Sequence, residues 1–516
     1  MLKGGRQKSM TNCSNYFWNA FNAHQDAPAI DIDKSTYTYG KLAGISDRIQ
    51  SIVEKYSKSN IVAILSYKNV ITYGGIIGTL SSGKAYCPIG HKLPIKRQLT
   101  VLEESRADAI ILPNQMLGQA ENLLHQLGSN TTIITDGVVS SEIKEAHPKL
   151  NIQSIDEIAI PIERKVRAIN EDSLAYLLFT SGTTGKPKGV PITHKSLKTY
   201  LDNIEKQINI GLGLRFSQTF PLTFDLSVHD IFVCWRHLGC LVPIPESQML
   251  SPAKFISEAN IHIWFSVPSQ ISLLNKLGLL EPKSFSNIQV SLFCGEALPV
   301  DLAQKWMEAA NQSEVYNLYG PTEATIAISL YKLVRTPNKL KSKNGVVSIG
   351  KLFNDHKYEI RDGELILIGP QIAENYWNNE QKFSSPFSNI NGEPSYRTGD
   401  LVEIDDDLIY YLSRTDHQVK INGNRVELEE INTVIRKLIP NFAVHTVNIN
   451  KSFGDALHVF VVSDIAFNET EVLKKLKDVL PGYMIPKAIH KIQNLPLNQS
   501  GKVDSNALKK RFNDAI

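Results

Sequence analysis

The chain has 516 residues, more than the ~100–200 of a single domain, so at least two domains are expected. With 42% apolar and 21% charged residues, it has the composition of a folded globular protein, not of a disordered one. Lys and Arg total 55 against 52 Asp and Glu, a formal charge of +3, which excludes a large polybasic surface and makes nucleic acid an unexpected partner. No stretch reaches the ~18 apolar residues of a membrane helix, and no apolar signal core follows Met1. Cys13, Cys87, Cys234, Cys240 and Cys294 are too few and too scattered for a disulfide framework or a zinc set. A cytoplasmic protein with reduced cysteines and no membrane partner is the expectation.

Taken in chain order, short apolar runs alternate with longer helical patterns. Ile61–Leu65 predicts a buried strand, Val70–Leu80 an apolar helix, and Ala85–Pro88 the next strand. Ala109–Leu112 and Thr132–Thr135 follow at strand–helix–strand spacing, and Ala175–Phe179, Ile261–Phe265 and Val290–Phe293 repeat the theme. This predicts an α/β fold with mostly parallel sheets. After about residue 350 the pattern turns antiparallel, with Glu364–Ile368, Leu401–Ile404 and Leu408–Leu412 as strands and a polar break over Ser413–Asp416. Gln418–Ile421, the turn Asn422–Asn424 and a charged helix over Glu427–Leu438 open a final stretch the length of a small domain. A hinge is placed near Asp416; an ordinary surface loop is the alternative.

Between the Ala175–Phe179 strand and a helix starting near Lys195 lies Thr180-Ser-Gly-Thr-Thr-Gly-Lys-Pro-Lys-Gly189. Its glycines let the backbone bend and turn N–H groups inward, while its hydroxyls and lysines add donors suited to a triphosphate. Pro187 stands where a Walker A loop carries Ser or Thr. Such composition also suits a solvated turn.

The decapeptide resembles the signature of adenylate-forming enzymes: acyl-CoA synthetases, luciferase and the adenylation domains of nonribosomal peptide synthesis. Further motifs follow in the family's order. Tyr37–Leu42, Leu80–Pro88, Phe224–Phe232, Asn317–Glu323, Gly363–Tyr376, Tyr396–Asp400, Ser413–Glu430, Leu480–Pro486 and Leu495–Lys502 each resemble one of its core motifs. Asp225 and the Asn317–Glu323 form resemble amino-acid adenylation more than acyl-CoA synthesis. The resemblance implies a large N-terminal domain over 1–414, of layered mostly parallel sheets and helices plus a β-barrel-like region. A small mobile α+β domain over 415–516 would turn about Asp416 between two half-reactions.

The implied reaction joins a carboxylate to the α-phosphate of ATP, then passes the acyl group to a thiol. Two anions must meet, so positive charge is needed where charge builds. By resemblance Lys502 bridges the substrate carboxylate and the α-phosphate, and Glu323, after Thr322, holds magnesium with phosphate oxygens. A helix-terminal acid is the plain alternative for Glu323. Thr180, Ser181, Gly182, Thr183, Thr184, Gly185, Lys186 and Lys188 would hold phosphate. Gly295, Glu296, Asn317, Tyr319 and Gly320 line the nucleotide site, with Asn317 on the adenine amine edge and Tyr319 offering a flat face. Asp400 accepts the ribose hydroxyls and Arg414 contacts ribose or phosphate. Ser413 stands where the family usually has glycine. Lys420 and Gly423 would line the thiol's path after domain rotation.

Asp225 lies in an apolar stretch, where a buried carboxylate needs a cation such as a substrate ammonium; a helix N-cap is the alternative. The family's specificity positions fall on Asp225, Leu226, His229, Phe265, Leu292, Cys294, Leu318, Ile326, Ala327 and Lys502. Their lining is mainly apolar and implies a small apolar amino acid. The pattern resembles proline-activating stand-alone adenylation enzymes and also D-alanine:carrier-protein ligases, in which the cysteine matching Cys294 helps select D-alanine. L-Proline is the expected substrate, with D-alanine the alternative and acyl-CoA synthesis a further one. ATP, Mg2+ and the phosphopantetheine of a partner are the implied cofactors. The chain stops at Ile516 without room for a carrier domain, so a separate carrier protein is the expected partner; oligomeric state is left open. Lys502→Ala should abolish adenylate formation with the fold intact, measured by ATP–pyrophosphate exchange; an unchanged rate removes the role.

Overall fold

A computed structural model of the chain describes residues 12–182, 186–249, 251–336, 340–378, 385–416, 418–421, 423–440, 442–451, 454–463, 467–496 and 503–514. The chain divides into two compact units. The first holds Met1–His91, Leu102–Leu178 and Gly189–Thr415; the second holds Lys92–Val101, Phe179–Lys188 and Asp416–Ile516.

Two large, mostly parallel sheets dominate the first unit. One runs, in spatial order, Asn151–Ser154, Thr132–Thr135, Ala109–Ile111, Ile61–Leu65, Ala85–Ile89, Leu174–Thr180 and Lys188–Thr193. Ile61–Leu65 and Ala85–Ile89 are buried along their whole length. Strands covered on both faces read as unbroken apolar runs, which is why the sequence shows them so plainly. The helix Val70–Ser81 is capped by Asn69, whose side chain accepts the Ile71 N–H at 3.1 Å.

The other large sheet has nine strands. Its centre is parallel: Glu314–Tyr319, Val290–Phe293, Ile263–Ser266, Arg215–Gln218, Cys240–Pro243 and Pro28–Ile32. Antiparallel strands close both margins, Ser329–Lys332 and Lys351–Leu352 at one side and Ser35–Thr38 at the other. A second core cluster packs under this sheet around Trp306, which is fully buried, lies 6.0 Å from Trp264 and donates its Nε1–H to Ser291 Oγ at 2.9 Å.

The antiparallel part follows as five strands: Lys357–Arg361, Glu364–Ile368, Glu393–Asp405 and Phe387–Ile390 in order, with Leu408–Arg414 also paired to Glu393–Asp405. Among the described pairings it is an antiparallel sheet without barrel closure. The expected polar break at Ser413 is corrected. The strand runs on to Arg414, because Ser413 pairs with Leu401 and Arg414 with Asp400. Ladder hydrogen bonds do not depend on side-chain polarity, so the strand outlasts its apolar run.

The second unit is α+β. The hairpin Gln418–Ile421 and Asn424–Glu427 leads into the helix Leu428–Leu438. A three-stranded sheet, Ala443–Lys451, Gly454–Val462 and Ala488–Ile492, supports that helix and Glu469–Lys477 over a core of Ile431, Ile435, Val459 and Leu476. Trp306→Ala should cost the first unit about 3–5 kcal/mol, read as a lowered denaturation midpoint with the second unit's transition unmoved.

Candidate functional site

The site is built where adjacent parallel strands of the nine-stranded sheet end, the usual place for a ligand in an open α/β sheet. Phe265, Leu292 and Tyr316 stand in register on neighbouring strands, as do Phe293 and Asn317. Cys294 and Gly295 follow one strand, and Leu318 and Tyr319 finish the next.

Asp225 precedes the helix Leu226–Arg236, but its side chain makes no capping bond. It is buried, and its carboxylate takes hydrogen bonds from the Thr322 side chain and from the backbone of Ile326 and Leu226. Its Oδ2 has no hydrogen-bond partner among the described residues. Burial pushes the carboxyl up to about 6; the Thr322 bond lowers it and the neighbouring charge of Glu323 raises it. The Tyr176 hydroxyl, buried and without a partner, has a phenol pushed up by burial and then by the Asp225 charge.

The other expected specificity positions among the described residues are buried as well. Leu226, His229, Phe265, Leu292, Cys294, Leu318, Ile326 and Ala327 are all buried, none above 6% exposed. His229 packs edge-on to Phe265 at 4.7 Å, and Phe265 edge-on to Phe220 at 5.0 Å. The His229 Nδ1 lies 2.6 Å from the Tyr200 hydroxyl, and burial lowers its imidazole to about 3. The ring is therefore neutral and offers no charge to a substrate side chain. Tyr200 carries no motif; only the fold brings it to His229.

The strand end Asn317–Tyr319 continues through Gly320 into a short 3-10 turn, Thr322–Ala324. A Cβ on Gly320 would lie 2.6 Å from the Ala327 Cα, so the close approach requires glycine. Thr325 and Ile326 then adopt φ of 58° and 72°, a left-handed conformation that β-branched residues adopt only under strain. Gln371, fully buried, clamps the turn. Its Nε2 donates to Ala327 O at 2.9 Å and Ala324 O at 3.2 Å, while its backbone carbonyl accepts the Thr325 hydroxyl at 2.6 Å. Sequence reading placed Gln371 inside a motif but gave it no role. Glu323, in the first turn of this 3-10 element, is fully buried and accepts the Tyr376 hydroxyl at 2.8 Å, a tertiary contact added to its helix-end place.

The expected nucleotide residues divide by what they already hold. Asn317 donates its Nδ2–H to Ser348 O at 2.9 Å, leaving a buried Oδ1 without a partner. That acceptor suits an exocyclic amine. Asp400 accepts the Tyr319 hydroxyl at 2.5 Å and Arg414 Nη1 at 2.6 Å; Arg414 also donates to Thr398 O at 3.0 Å. Tyr319 thus contributes its hydroxyl to Asp400, a bond that a flat adenine-facing ring did not predict. Glu296 accepts the Ser269 N–H at 2.7 Å, and Gly295 has φ 89°.

In the second unit, the Thr180 hydroxyl donates to Lys188 O at 3.4 Å, the Ser181 hydroxyl to Arg425 O at 2.9 Å, and the Gly182 N–H to Glu430 Oε2 at 3.2 Å. Lys186 is exposed and Lys188 half-buried. Asp416 accepts the Gln418 N–H at 3.1 Å, Lys420 is exposed on its hairpin strand, and Gly423 turns the hairpin at φ 80°. Thr183, Thr184, Gly185 and Lys502 lie outside the described residues. No described group of three or more His, Cys, Asp or Glu side chains forms a metal cage. One buried carboxylate, Glu323, fits a magnesium ion that draws most of its ligands from phosphate and water.

Residues 17–377 match the model of the AMP-binding enzyme family. The chain belongs to that family. ATP with Mg2+ serves its adenylate-forming members. A D-alanine--D-alanyl carrier protein ligase of Listeria innocua is 28% identical over 520 residues, covering 95% of this chain and 96% of that protein. Its namesake in Staphylococcus epidermidis is 28% identical over 494 residues, covering 93% and 95%. Among solved structures, the Vibrio cholerae adenylation domain AlmE in complex with glycyl-adenosine-5'-phosphate superposes with a TM-score of 0.89 at 30% identity, over 99% of this chain and all of that one.

The raised Asp225 carboxyl sets a pH dependence. Above about 6 it is charged and could pair a cation; as pH falls through that value it protonates and loses that capacity. The kcat/KM for amino acid should therefore fall about tenfold per pH unit below the inflection. Asp225→Asn should remove the inflection and raise KM at least ~100-fold, as expected for losing a desolvated charge pair.

Proposed function

We propose that this enzyme activates a small amino acid, D-alanine in first place, as its aminoacyl adenylate and transfers it to the phosphopantetheine thiol of a separate carrier protein. One observation carries the amino-acid part: a buried Asp225 whose Oδ2 has no hydrogen-bond partner among the described residues and whose charged neighbour, Glu323, is another acid and not a cation. A buried carboxylate without a cation is unfavourable, and an α-ammonium supplies one. A fatty or aryl acid does not.

The walls support a small side chain. The lining side chains are almost wholly inaccessible, and the Phe265–His229–Tyr200 group stands packed among them. An alanine methyl asks less displacement of these aromatics than a pyrrolidine ring does. The D-alanine reading therefore displaces the proline expectation. The Listeria and Staphylococcus relatives, named for D-alanine and a carrier protein, support it. Glycine is the second reading, favoured by the glycyl adenylate in the AlmE complex.

The remaining roles follow the chemistry of each group. Asn317 meets the adenine amine. Asp400, held by Tyr319 and Arg414, accepts the ribose hydroxyls. Glu323 holds the magnesium ion, and Ser181, Gly182, Lys186 and Lys188 meet the phosphates. Lys502 bridges the two reacting anions. Asp416 is the hinge, with Lys420 and Gly423 serving the thiol step.

ATP–pyrophosphate exchange with D-alanine, glycine, L-alanine and L-proline tests the assignment. D-Alanine should give the highest kcat/KM, with proline at least about 100-fold lower, since an added ring in a closed apolar pocket costs several kcal/mol. Proline as the best substrate would overturn the size argument; no exchange with any amino acid would overturn the activity.

A further inference from the structure

Within the second unit, the start of the phosphate loop is already engaged by an anion belonging to the chain itself. Gly182 donates its N–H to Glu430 Oε2 at 3.2 Å, and Ser181 donates its hydroxyl to Arg425 O at 2.9 Å. Glu430 is fully buried in the first turn of the helix Leu428–Leu438 and forms an ion pair with Arg97, whose side chain is 10% exposed. This makes a carboxylate bound as a phosphate would be: by a backbone amide of a glycine-bearing loop and by a guanidinium. A Cβ on Gly182 would lie 2.0 Å from Lys186 O, so the backbone passes too closely for anything but glycine.

We infer that Glu430 is a positioning residue that takes the place of a nucleotide phosphate on the loop, so that its seating and phosphate binding exclude one another. This rests on the loop's role in the reading above. One N–H serves one strong acceptor at a time, and two anions crowded onto it repel. ATP therefore binds only when Glu430 has left Gly182. When pyrophosphate departs, Glu430 returns and opposes its rebinding. The same contact then favours the forward course of a reaction whose first half is reversible.

The test uses the full chain and two variants. Glu430→Gln keeps the side chain's shape and removes its charge. Arg97→Glu with Glu430→Arg keeps an ion pair and turns a cation toward the loop. Both should bind ATP and pyrophosphate more tightly by calorimetry, about 3- to 10-fold for Glu430→Gln, given that hydrogen bonds to charged groups outweigh neutral ones. Inhibition of adenylation by pyrophosphate should strengthen by the same factor. A purely structural role for Glu430 predicts weaker binding or unfolding, not a gain. If Glu430→Gln does not fold, the charge-swapped pair decides. Unchanged or weaker ATP and pyrophosphate affinity in folded variants overturns the inference. The titrations need no amino acid, so they stand apart from the exchange assay: no exchange in the unaltered enzyme defeats the proposed activity but leaves the competition between Glu430 and phosphate measurable.

Discussion

The constraint on which the rest depends is a carboxylate taken out of water without a counter-charge. Desolvating an ion is costly, and a protein tolerates it only where other terms hold the group in place. Here those terms converge from three directions: the start of the helix Leu226–Arg236, the Thr322 side chain and the backbone of Ile326. Each depends on something further away. Thr322 and Ile326 are placed by the turn after Tyr319, that turn by Gln371, and Gln371 by its place just after the strand Glu364–Ile368 of the antiparallel sheet. The large sheet, the turn and the antiparallel region are thus parts of one scaffold around an incomplete ion pair.

A second carboxylate follows a different logic. Asp400 is also buried, but Tyr319 and Arg414 already contact both of its oxygens. It is a charge held ready in a fixed orientation, with lone pairs left for hydroxyl donors. Asp225 lacks such company and is left to a ligand. Two acids of the same type take opposite parts because one has a guanidinium beside it and the other has a threonine, another acid and backbone amides.

Much of the fold was legible because it rests on local chemistry. Ile61–Leu65 and Val290–Phe293 announce themselves as runs that only a doubly covered strand would carry, and Asn69 marks the start of its helix. The site was legible where motifs are contiguous, as at Asn317–Glu323. It was not legible where partners are far apart along the chain. Tyr200 meets His229, Tyr376 meets Glu323, and Tyr319 meets Asp400 across separations that no periodicity encodes. Glu430 was hidden for another reason. On a helix as charged as Leu428–Leu438 it reads as one more solvated acid, and only an arginine from Lys92–Val101 and a loop amide from Phe179–Lys188 show it buried.

The turn at Thr325–Ile326 bears on how such a pocket can diversify. On the proposed reading Leu292 and Ala327 would line the pocket, and exchanging them would alter its shape while the backbone stays in place. Ile326 does two jobs at once: its side chain is part of the wall, and its amide, aimed by a left-handed φ of 72°, holds Asp225. A residue there is selected for backbone conformation as well as for fit. Drift toward new substrates is therefore open along one side of the pocket and closed along the other, where a change of side chain also disturbs the grip on the charge that every amino acid shares.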